Sequence, residues 1–267
     1  ILGVLVGGAL VSPQVSGMLL GLDFPVLDTG IDTAPEIAIT VIMVFYAIAA
    51  TFNWYIPDTG VDHRAPSRNP IALIREFAHC VNLLWHDKLG QISLATTTLF
   101  WGAGATLQFI VIDWAARALG YNLSQATYLQ GVVAAGIAVG AVLAARFIAL
   151  RNSVSVLPIG VAMGLIVIAM IFVTNLPIAI VLMVAIGACA GFFVVPMNAL
   201  LQHRGHVLMS AGHSIAVQNF NENLNILVML ALYSLLLRLE LGVDTVIVIF
   251  GAFVALVMLA VIRLHRA

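Results

Sequence analysis

The sequence predicts an all-α membrane protein, a bundle of about eight helices that each cross a lipid bilayer. Of its 267 residues, 62% are hydrophobic and only 9% are charged, whereas a soluble domain carries about 25% charged residues. The apolar runs are continuous and of the length, about 20 residues, that a helix needs to span a hydrocarbon core of ~30 Å. An outer-membrane β-barrel would instead alternate apolar and polar residues over segments of ~10 residues.

Eight apolar runs follow one another along the chain and mark the predicted spans. They cover residues 1–21, 37–57, 93–113, 128–150, 154–174, 176–200, 214–237 and 243–262. The chain begins with Ile1 inside the first run, and no basic segment precedes it. A signal peptide starts with a basic region, so we expect this run to be a membrane span instead. We also expect the sequence to lack its N-terminal part.

The basic residues predict which ends of the spans face the cytoplasm. Because cytoplasmic loops hold the excess of Lys and Arg, the side that carries nine of the eleven is predicted to be cytoplasmic, and it includes the C-terminus. The nine are Arg64, Arg68, Arg75, Lys88, Arg146, Arg151, Arg204, Arg263 and Arg266. The net charge of −1 gives no basis for nucleic-acid binding by bulk electrostatics.

A long polar connector, residues 58–92, divides the first two spans from the other six. It includes the string PDTGVDHRAPSRNP, which is rich in the Pro and Gly residues that interrupt helices. After Pro70, apolar residues recur at helical spacing and predict an amphipathic helix in the membrane interface; they are Leu73, Ile74, Phe77, Val81, Leu84 and Trp85. We therefore expect residues 1–57 to end an N-terminal bundle, 58–92 to form a cytoplasmic linker, and 93–267 to form a six-helix C-terminal bundle. This plan resembles the second half of a major facilitator superfamily transporter.

Small residues four apart predict where helices approach closely. Gly136, Gly140 and Ala144 have this spacing in one span, and Gly187 and Gly191 have it in another. In a membrane, such spacing lets helix backbones pack against each other.

A polar stripe opens the seventh predicted span. Gln218, Asn221, Glu222 and Asn225 fall at i, i+3, i+4 and i+7, which places them on one side of a helix, and Asn219 and Asn223 flank them. An ionisable group in hydrocarbon costs at least about 2.5 kcal/mol, so we expect this stripe to border a hydrated path. The alternative is that these side chains only join helices, at about 0.6 kcal/mol per hydrogen bond.

Two other spans offer polar partners for the stripe. Gln108 lies near the middle of the third span, and Asn198 lies toward the cytoplasmic end of the sixth. Asp113 and Arg117 are four apart and are predicted to form a local ion pair. Three roles stay open for Glu222: a proton acceptor, a partner for an ammonium group of a substrate, or an ion-pair partner of a basic residue outside this sequence.

Three strings in the last two-thirds of the chain are specific when taken together. They are TTLFWGAGATLQF, GACAGFFVVPMNALLQHRG and SAGHSIAVQNFNENLNILVMLALYSL. They closely resemble the bacterial lysophospholipid transporters, a family of the major facilitator superfamily. The resemblance runs from about residue 92 to the C-terminus and extends more loosely back to Ile1.

The resemblance implies a function that spacing alone does not give. It implies that lysophospholipids move from the outer to the inner leaflet of the bacterial inner membrane, where a partner acyltransferase/acyl-carrier-protein synthetase re-acylates them. It also implies that the translocation cavity includes Gln218, Asn221, Glu222 and Asn223; with Gln108 and Asn198 these form the predicted substrate-binding set. Every Lys and Arg lies at a span end or in a loop, so the phosphate, which favours a cation, is expected to meet amides such as Gln108 or residues outside this sequence.

Two other classes of function are alternatives to this prediction. A major facilitator antiporter for drugs or small solutes would share the fold and use a coupling carboxylate. A membrane-bound acyltransferase would need a histidine followed five residues later by an aspartate, and none of the seven histidines has this spacing. We therefore predict a transporter rather than an enzyme, with no cofactor and no metal site.

Overall fold

The structure, a computed structural model, describes residues 6–7, 9–10, 12–20, 33–57 and 69–266, and its regular elements are all helical. Seven helices of the described part are long and apolar enough to cross a membrane, which confirms the predicted all-α polytopic bundle. The predicted first span, residues 1–21, lies partly outside the described residues. The chain divides into two compact units, residues 1–68 and 69–267.

The first unit contains two described helices, α1 (Pro13–Leu20) and α2 (Ala34–Asn53). Helix α2 corresponds to the predicted span 37–57, shifted by a few residues toward the N-terminus. Its start is fixed locally, because the Thr33 backbone N–H donates to Glu36 Oε2 at 2.9 Å. Residues 58–68 of the predicted linker lie outside the described residues.

The second unit contains the helices that carry the candidate site. They are α3 (Pro70–His86), α4 (Lys88–Leu119), α5 (Leu123–Phe147), α6 (Leu157–Ala169), α7 (Leu176–Leu208), α8 (Ala211–Arg238) and α9 (Val243–Arg266). Short 3₁₀ segments, Leu150–Val156 and Met170–Phe172, flank α6. Helix α4 starts five residues before the predicted span 93–113, and α7 continues eight residues beyond the predicted span 176–200.

Five of the seven helices of the second unit, α3, α4, α5, α7 and α8, begin at a polar side chain that caps them. Asn122 Oδ1 accepts from the Gln125 backbone N–H at 2.9 Å, and Asn175 Oδ1 accepts from that of Ile178 at 3.1 Å. Such caps satisfy backbone donors that a helix leaves unpaired in its first turn. They explain how connectors of only a few residues separate long apolar helices.

Glycines allow two close helix crossings. On α5, a Cβ at Gly140 would overlap the Ala188 backbone of α7, and on α7, a Cβ at Gly191 would overlap the Ile137 carbonyl of α5. Between α6 and α9, a Cβ at Gly164 would stand 2.7 Å from the Gly251 carbonyl oxygen. The close approach predicted for the two spans with small residues four apart is confirmed for α5 and α7.

Side-chain hydrogen bonds and ion pairs join α4, or Asp87 just before it, to α5, α7, α8, α9 and the 3₁₀ segment that follows α6. They are Gln130 Nε2 to the Gln108 carbonyl at 3.0 Å, Asn225 Nδ2 to the Thr98 carbonyl at 2.8 Å, Trp114 Nε1 to the Met170 carbonyl at 3.1 Å, Arg117 to Asp244, and Arg204 to Asp87, the residue before α4.

The amphipathic segment after Pro70 is a helix, as its pattern predicts. Much of the apolar face of α3 packs against protein: Cys80 and Leu84 are buried with Leu94 of α4, Leu201 of α7 and Val217 of α8. Helix α3 therefore packs beside the start of α4, the last turns of α7 and the start of α8. The division of the chain into an N-terminal bundle, a linker and a C-terminal bundle stays a prediction.

Arg204 of α7 forms an ion pair with Asp87, the residue between α3 and α4, and we predict that this pair stabilises the fold. Arg204 donates to Asp87 from Nε at 2.8 Å and from Nη2 at 2.5 Å, and both side chains are mostly buried. Asp87→Asn keeps a side chain that can cap α4 but removes the charge. At pH 7 we expect a loss of about 2 kcal/mol and a fall in Tm of about 4–8 °C, measured by thermal unfolding in detergent.

The pH dependence of this pair has a defined sign. The Arg204 guanidinium holds the pKa of the Asp87 carboxyl below its usual value. The pair therefore stabilises the fold above the ordinary Asp pKa of about 3.9, and this contribution is lost as pH falls through the lower folded-state pKa. Arg117→Gln, in the more exposed pair with Asp244, is the control and should cost less than about 1 kcal/mol. Equal Tm values for wild type and Asp87→Asn at pH 7 would contradict the prediction.

Candidate functional site

The polar stripe of α8 forms part of the face that the helix turns into the second unit. Glu222 is only 8% exposed, and Gln218, Asn221 and Asn225 are half-buried. The same face continues with buried Met229 and Tyr233. The flanking amides of Asn219 and Asn223 are exposed on the other side of the helix.

Gln218 joins two other polar side chains, Glu222 on its own helix and Asn198 on α7. Gln218 Nε2 donates to Glu222 Oε1 at 2.9 Å and to Asn198 Oδ1 of α7 at 3.3 Å. We call Glu222, Gln218 and Asn198 the Glu222 cluster. A carboxylate accepts up to about four hydrogen bonds, and within the described part of the chain Glu222 receives one, from Gln218. The cluster therefore keeps acceptor capacity for a further donor.

Three asparagines of α8 donate hydrogen bonds to backbone carbonyls. Asn221 Nδ2 donates to the Val217 carbonyl at 2.8 Å, and Asn223 Nδ2 donates to that of Asn219 at 2.7 Å, both within α8. Asn225 instead donates to Thr98 on α4. Asn225 thus joins α8 to α4, and Gln218 joins α8 to α7, as the helix-joining alternative predicts. That the stripe borders a hydrated path stays a prediction.

Gln108 and Asn223 lie apart from the Glu222 cluster. Gln108 is exposed on α4, and its backbone carbonyl accepts from Gln130 of α5. Asn223 is on the exposed face of α8. The structure thus brings together three of the six predicted substrate residues, and the substrate role of all six stays a prediction. Gln130 was not singled out from the sequence, although it is an amide within an apolar span.

The predicted local pair of Asp113 and Arg117 is wrong. Asp113 accepts from the Tyr233 hydroxyl of α8, and Arg117 pairs with Asp244 in the first turn of α9. The two side chains are one turn apart on α4 but face different neighbouring helices. Asp244 carried a usable signal, since acidic residues are favoured at helix N-termini.

Helix α3 contacts the start of α8 close to the Glu222 cluster. The rings of Phe77 and Phe220 pack edge to face with centroids 5.2 Å apart. His213 Nε2 lies 3.4 Å from Glu76 Oε1. The two contacts join α3 to the first three turns of α8, the stretch that also carries Gln218 and Glu222.

The close contact between Gly102 and Asn225 can be tested by enlarging the first side chain and shortening the second. A Cβ at Gly102 would overlap the Asn225 amide and stand 3.1 Å from Met229 Cγ. We expect Gly102→Ala to cost about 1–3 kcal/mol and Asn225→Ala to cost about 1 kcal/mol. Because Asn225→Ala removes the overlapping group, the double variant should be more stable than the sum of the two losses predicts, by at least about 0.5 kcal/mol. Thermal unfolding of the four proteins measures this coupling, and strictly additive losses would contradict it.

Long apolar helices that hold a buried carboxylate between them define the class of the protein: a polytopic helical membrane protein with polar side chains inside its bundle, as membrane transporters have. In the described residues, no group of three or more His, Cys, Asp or Glu side chains is placed to hold a metal ion.

Comparison with known proteins narrows this class. Over 203 residues, 76% of the chain, the sequence is 44% identical to the protein named lysophospholipid transporter LplT of Yersinia pestis (strain Pestoides F), and equally to that of Yersinia pseudotuberculosis serotype O:3 (strain YPIII). The chain spans about half the length of these curated relatives, 50% of each. No protein-family model matches it. The predicted resemblance to lysophospholipid transporters is confirmed, and the major facilitator fold is consistent with it.

Proposed function

We propose that the natural protein carrying this sequence moves lysophospholipids across the bacterial inner membrane, from the outer to the inner leaflet. The observation that carries the proposal is the 44% identity to proteins named lysophospholipid transporter over 76% of the chain. The Glu222 cluster lies on α7 and α8, two helices that are long and apolar enough to cross a membrane. It supplies the polar groups that such a substrate requires.

A lysophospholipid has a polar headgroup that must cross an apolar layer. Polar groups taken from water need compensating hydrogen bonds, at a cost of several kcal/mol when none form. In our proposal the Glu222 carboxylate accepts from headgroup N–H or O–H donors, and the Gln218 and Asn198 amides bind its oxygens. Asn221, Asn223 and Gln108 contribute further amide contacts along the path.

The acyl chain needs a different environment from the headgroup. The outward face of α8 is apolar beyond Asn223 and exposes Leu224, Leu227 and Val228. We propose that the acyl chain follows this face while the headgroup passes along the amides. A single helix then offers both parts of the amphiphile a suitable surface.

We further propose the setting that the resemblance implies. The C-terminus faces the cytoplasm, because most Lys and Arg residues lie on that side. The delivered lysophospholipid is re-acylated by a partner acyltransferase/acyl-carrier-protein synthetase. Spheroplasts that lack such an enzyme should accumulate the imported lysophospholipid, and spheroplasts that contain it should convert the lipid to the diacyl form.

Reconstitution tests the proposed activity. The natural full-length protein is placed in proteoliposomes, fluorescent lysophosphatidylethanolamine is added to the outer leaflet, and the fraction that albumin can no longer extract is followed over time. We expect protection to rise several-fold faster than in protein-free liposomes, and diacyl phosphatidylethanolamine to show no such increase. Transport of soluble cationic drugs with no lysophospholipid movement would overturn the proposal in favour of a solute antiporter.

A further inference from the structure

The two ends of α3 differ in how they are covered. Toward its C-terminal end, Cys80 is 6% exposed and Leu84 is fully buried against the other helices. In its first two turns, Ile71 is 74% exposed and Ile74 is 69% exposed. A soluble surface helix would bury residues of this kind, so the exposed isoleucines require a separate explanation.

The side chains of α3 divide into three sectors around the helix axis. One sector, with Cys80 and Leu84, packs on protein. A second is polar and exposed, and its members Arg75, His79, Asn82 and His86 recur at spacings of four, three and four. Between them runs an apolar row with spacings of three, four and seven: Ile71, Ile74, Ala78 and half-buried Trp85. At 100° per residue these positions share one side of the helix.

The depth of α3 follows from the helices that it contacts. Only Asp87 separates α3 from α4, and α3 also packs near Leu208 and Met209 at the end of α7 and near Val217 in the second turn of α8. Helix α4 has 32 residues, or about 48 Å of length, whereas the hydrocarbon core is ~30 Å thick. At least one end of α4 therefore extends beyond the core, and we place there the end that meets α3, which begins with the charged Lys88.

We propose that the row Ile71–Ile74–Trp85 of α3 is a membrane-surface contact that inserts into the boundary between headgroups and acyl chains. A helix with one side on protein, one on lipid and one in water has the three sectors observed. Amphipathic helices bury an apolar face by about 5–10 Å in this boundary, and Trp is enriched there. The lipid surface, rather than a second protein, is the occupant because the row lies beside the ends of membrane-spanning helices.

This contact would hold α3 in place beside the candidate site. Phe77 and Glu76, on the same helix, contact Phe220 and His213 of α8. The inference concerns how the protein contacts the bilayer and does not depend on which solute it transports.

Spin-label accessibility in liposomes tests the inference directly. In the natural full-length protein with its cysteines replaced, Cys80 and Cys189 included, single cysteines are introduced as Ile71→Cys and Ile74→Cys, with Arg75→Cys and Asn82→Cys as matched controls on the polar row. All four positions are exposed, so the changes should leave the packing intact. Each cysteine is labelled with a nitroxide, and its collision rates with oxygen and with a polar nickel chelate are compared.

Oxygen concentrates in lipid, and the chelate stays in water. We expect the oxygen-to-nickel ratio to be at least threefold higher at positions 71 and 74 than at 75 and 82. Equal ratios at all four positions would place the row in water and overturn the inference. Low accessibility to both reagents at 71 and 74 would indicate a covering protein, either a second copy or a partner, and would overturn it as well.

Discussion

Glu222→Gln will lower lysophospholipid uptake by the natural full-length protein at least tenfold, while the amount of folded protein in the membrane stays unchanged. Glutamine has nearly the same volume, so the packing between α7 and α8 is kept. It removes the charged acceptor, and a hydrogen bond to a charged group contributes about 1.5–3 kcal/mol, which corresponds to tenfold or more in binding. Initial uptake rates at several lysophosphatidylethanolamine concentrations measure the effect.

Two further variants on α8 separate the role of the carboxylate from that of the helix. Gln218→Leu removes the side chain that donates to both Glu222 and Asn198, and we expect a smaller but clear loss of uptake. Leu237→Ala, at an exposed position in the last turn of the same helix and outside both proposed substrate surfaces, should leave uptake within about twofold of wild type. Normal uptake by Glu222→Gln would remove this carboxylate from the transport path.

Gly140→Ala should be among the most destabilising of the conservative changes in the chain. The added Cβ would overlap the backbone of Ala188, and no rotamer change can move a backbone atom aside. Overpacking costs about 1–3 kcal/mol when side chains can adjust, so we expect at least about 3 kcal/mol here and a marked fall in Tm. The measurement is the yield of monodisperse protein in detergent together with its thermal unfolding.

Gly104→Ala is the matched control, because it is also a glycine inside a spanning helix. A Cβ there has no neighbour within 4 Å. Alanine restricts the unfolded chain and favours the helix, so we expect no loss or a gain of about 0.5–1 kcal/mol. If both glycine variants had the stability of wild type, the close crossing of α5 and α7 would be wrong.

Much of the fold could be predicted because lipid imposes a simple pattern. Continuous apolar runs of about 20 residues are required for helices in a bilayer, and seven of the eight predicted spans correspond to helices of the structure, α2 and α4–α9. Helix ends were less predictable, because α4 and α7 extend into polar residues such as Lys88 and Arg204. Asp87 caps α4 at the Gly90 backbone N–H, and a cap of this kind lies outside any hydrophobic run.

The candidate site could be predicted only in part, because helical periodicity does not identify the neighbouring helix. Spacing placed Gln218 and Glu222 on one face, and the structure keeps them there. It could not show that Asn225 would reach Thr98 of α4, or that Gln108 would be exposed. The partner of Arg117 was missed for the same reason, since Asp244 is distant in sequence and Asp113 is one turn away.

The central claim is that the Glu222 cluster contacts the headgroup of a transported lysophospholipid, and photolabelling tests it most directly. A lysophosphatidylethanolamine with a small diazirine beside its headgroup is activated on the natural full-length protein in liposomes, and the labelled residues are found by mass spectrometry. The account predicts labelling within residues 216–225 of α8 or beside Asn198 of α7, and loss of that labelling when unlabelled lysophosphatidylethanolamine is in excess. Labelling confined to other segments, or labelling of α8 that excess substrate does not reduce, would contradict it.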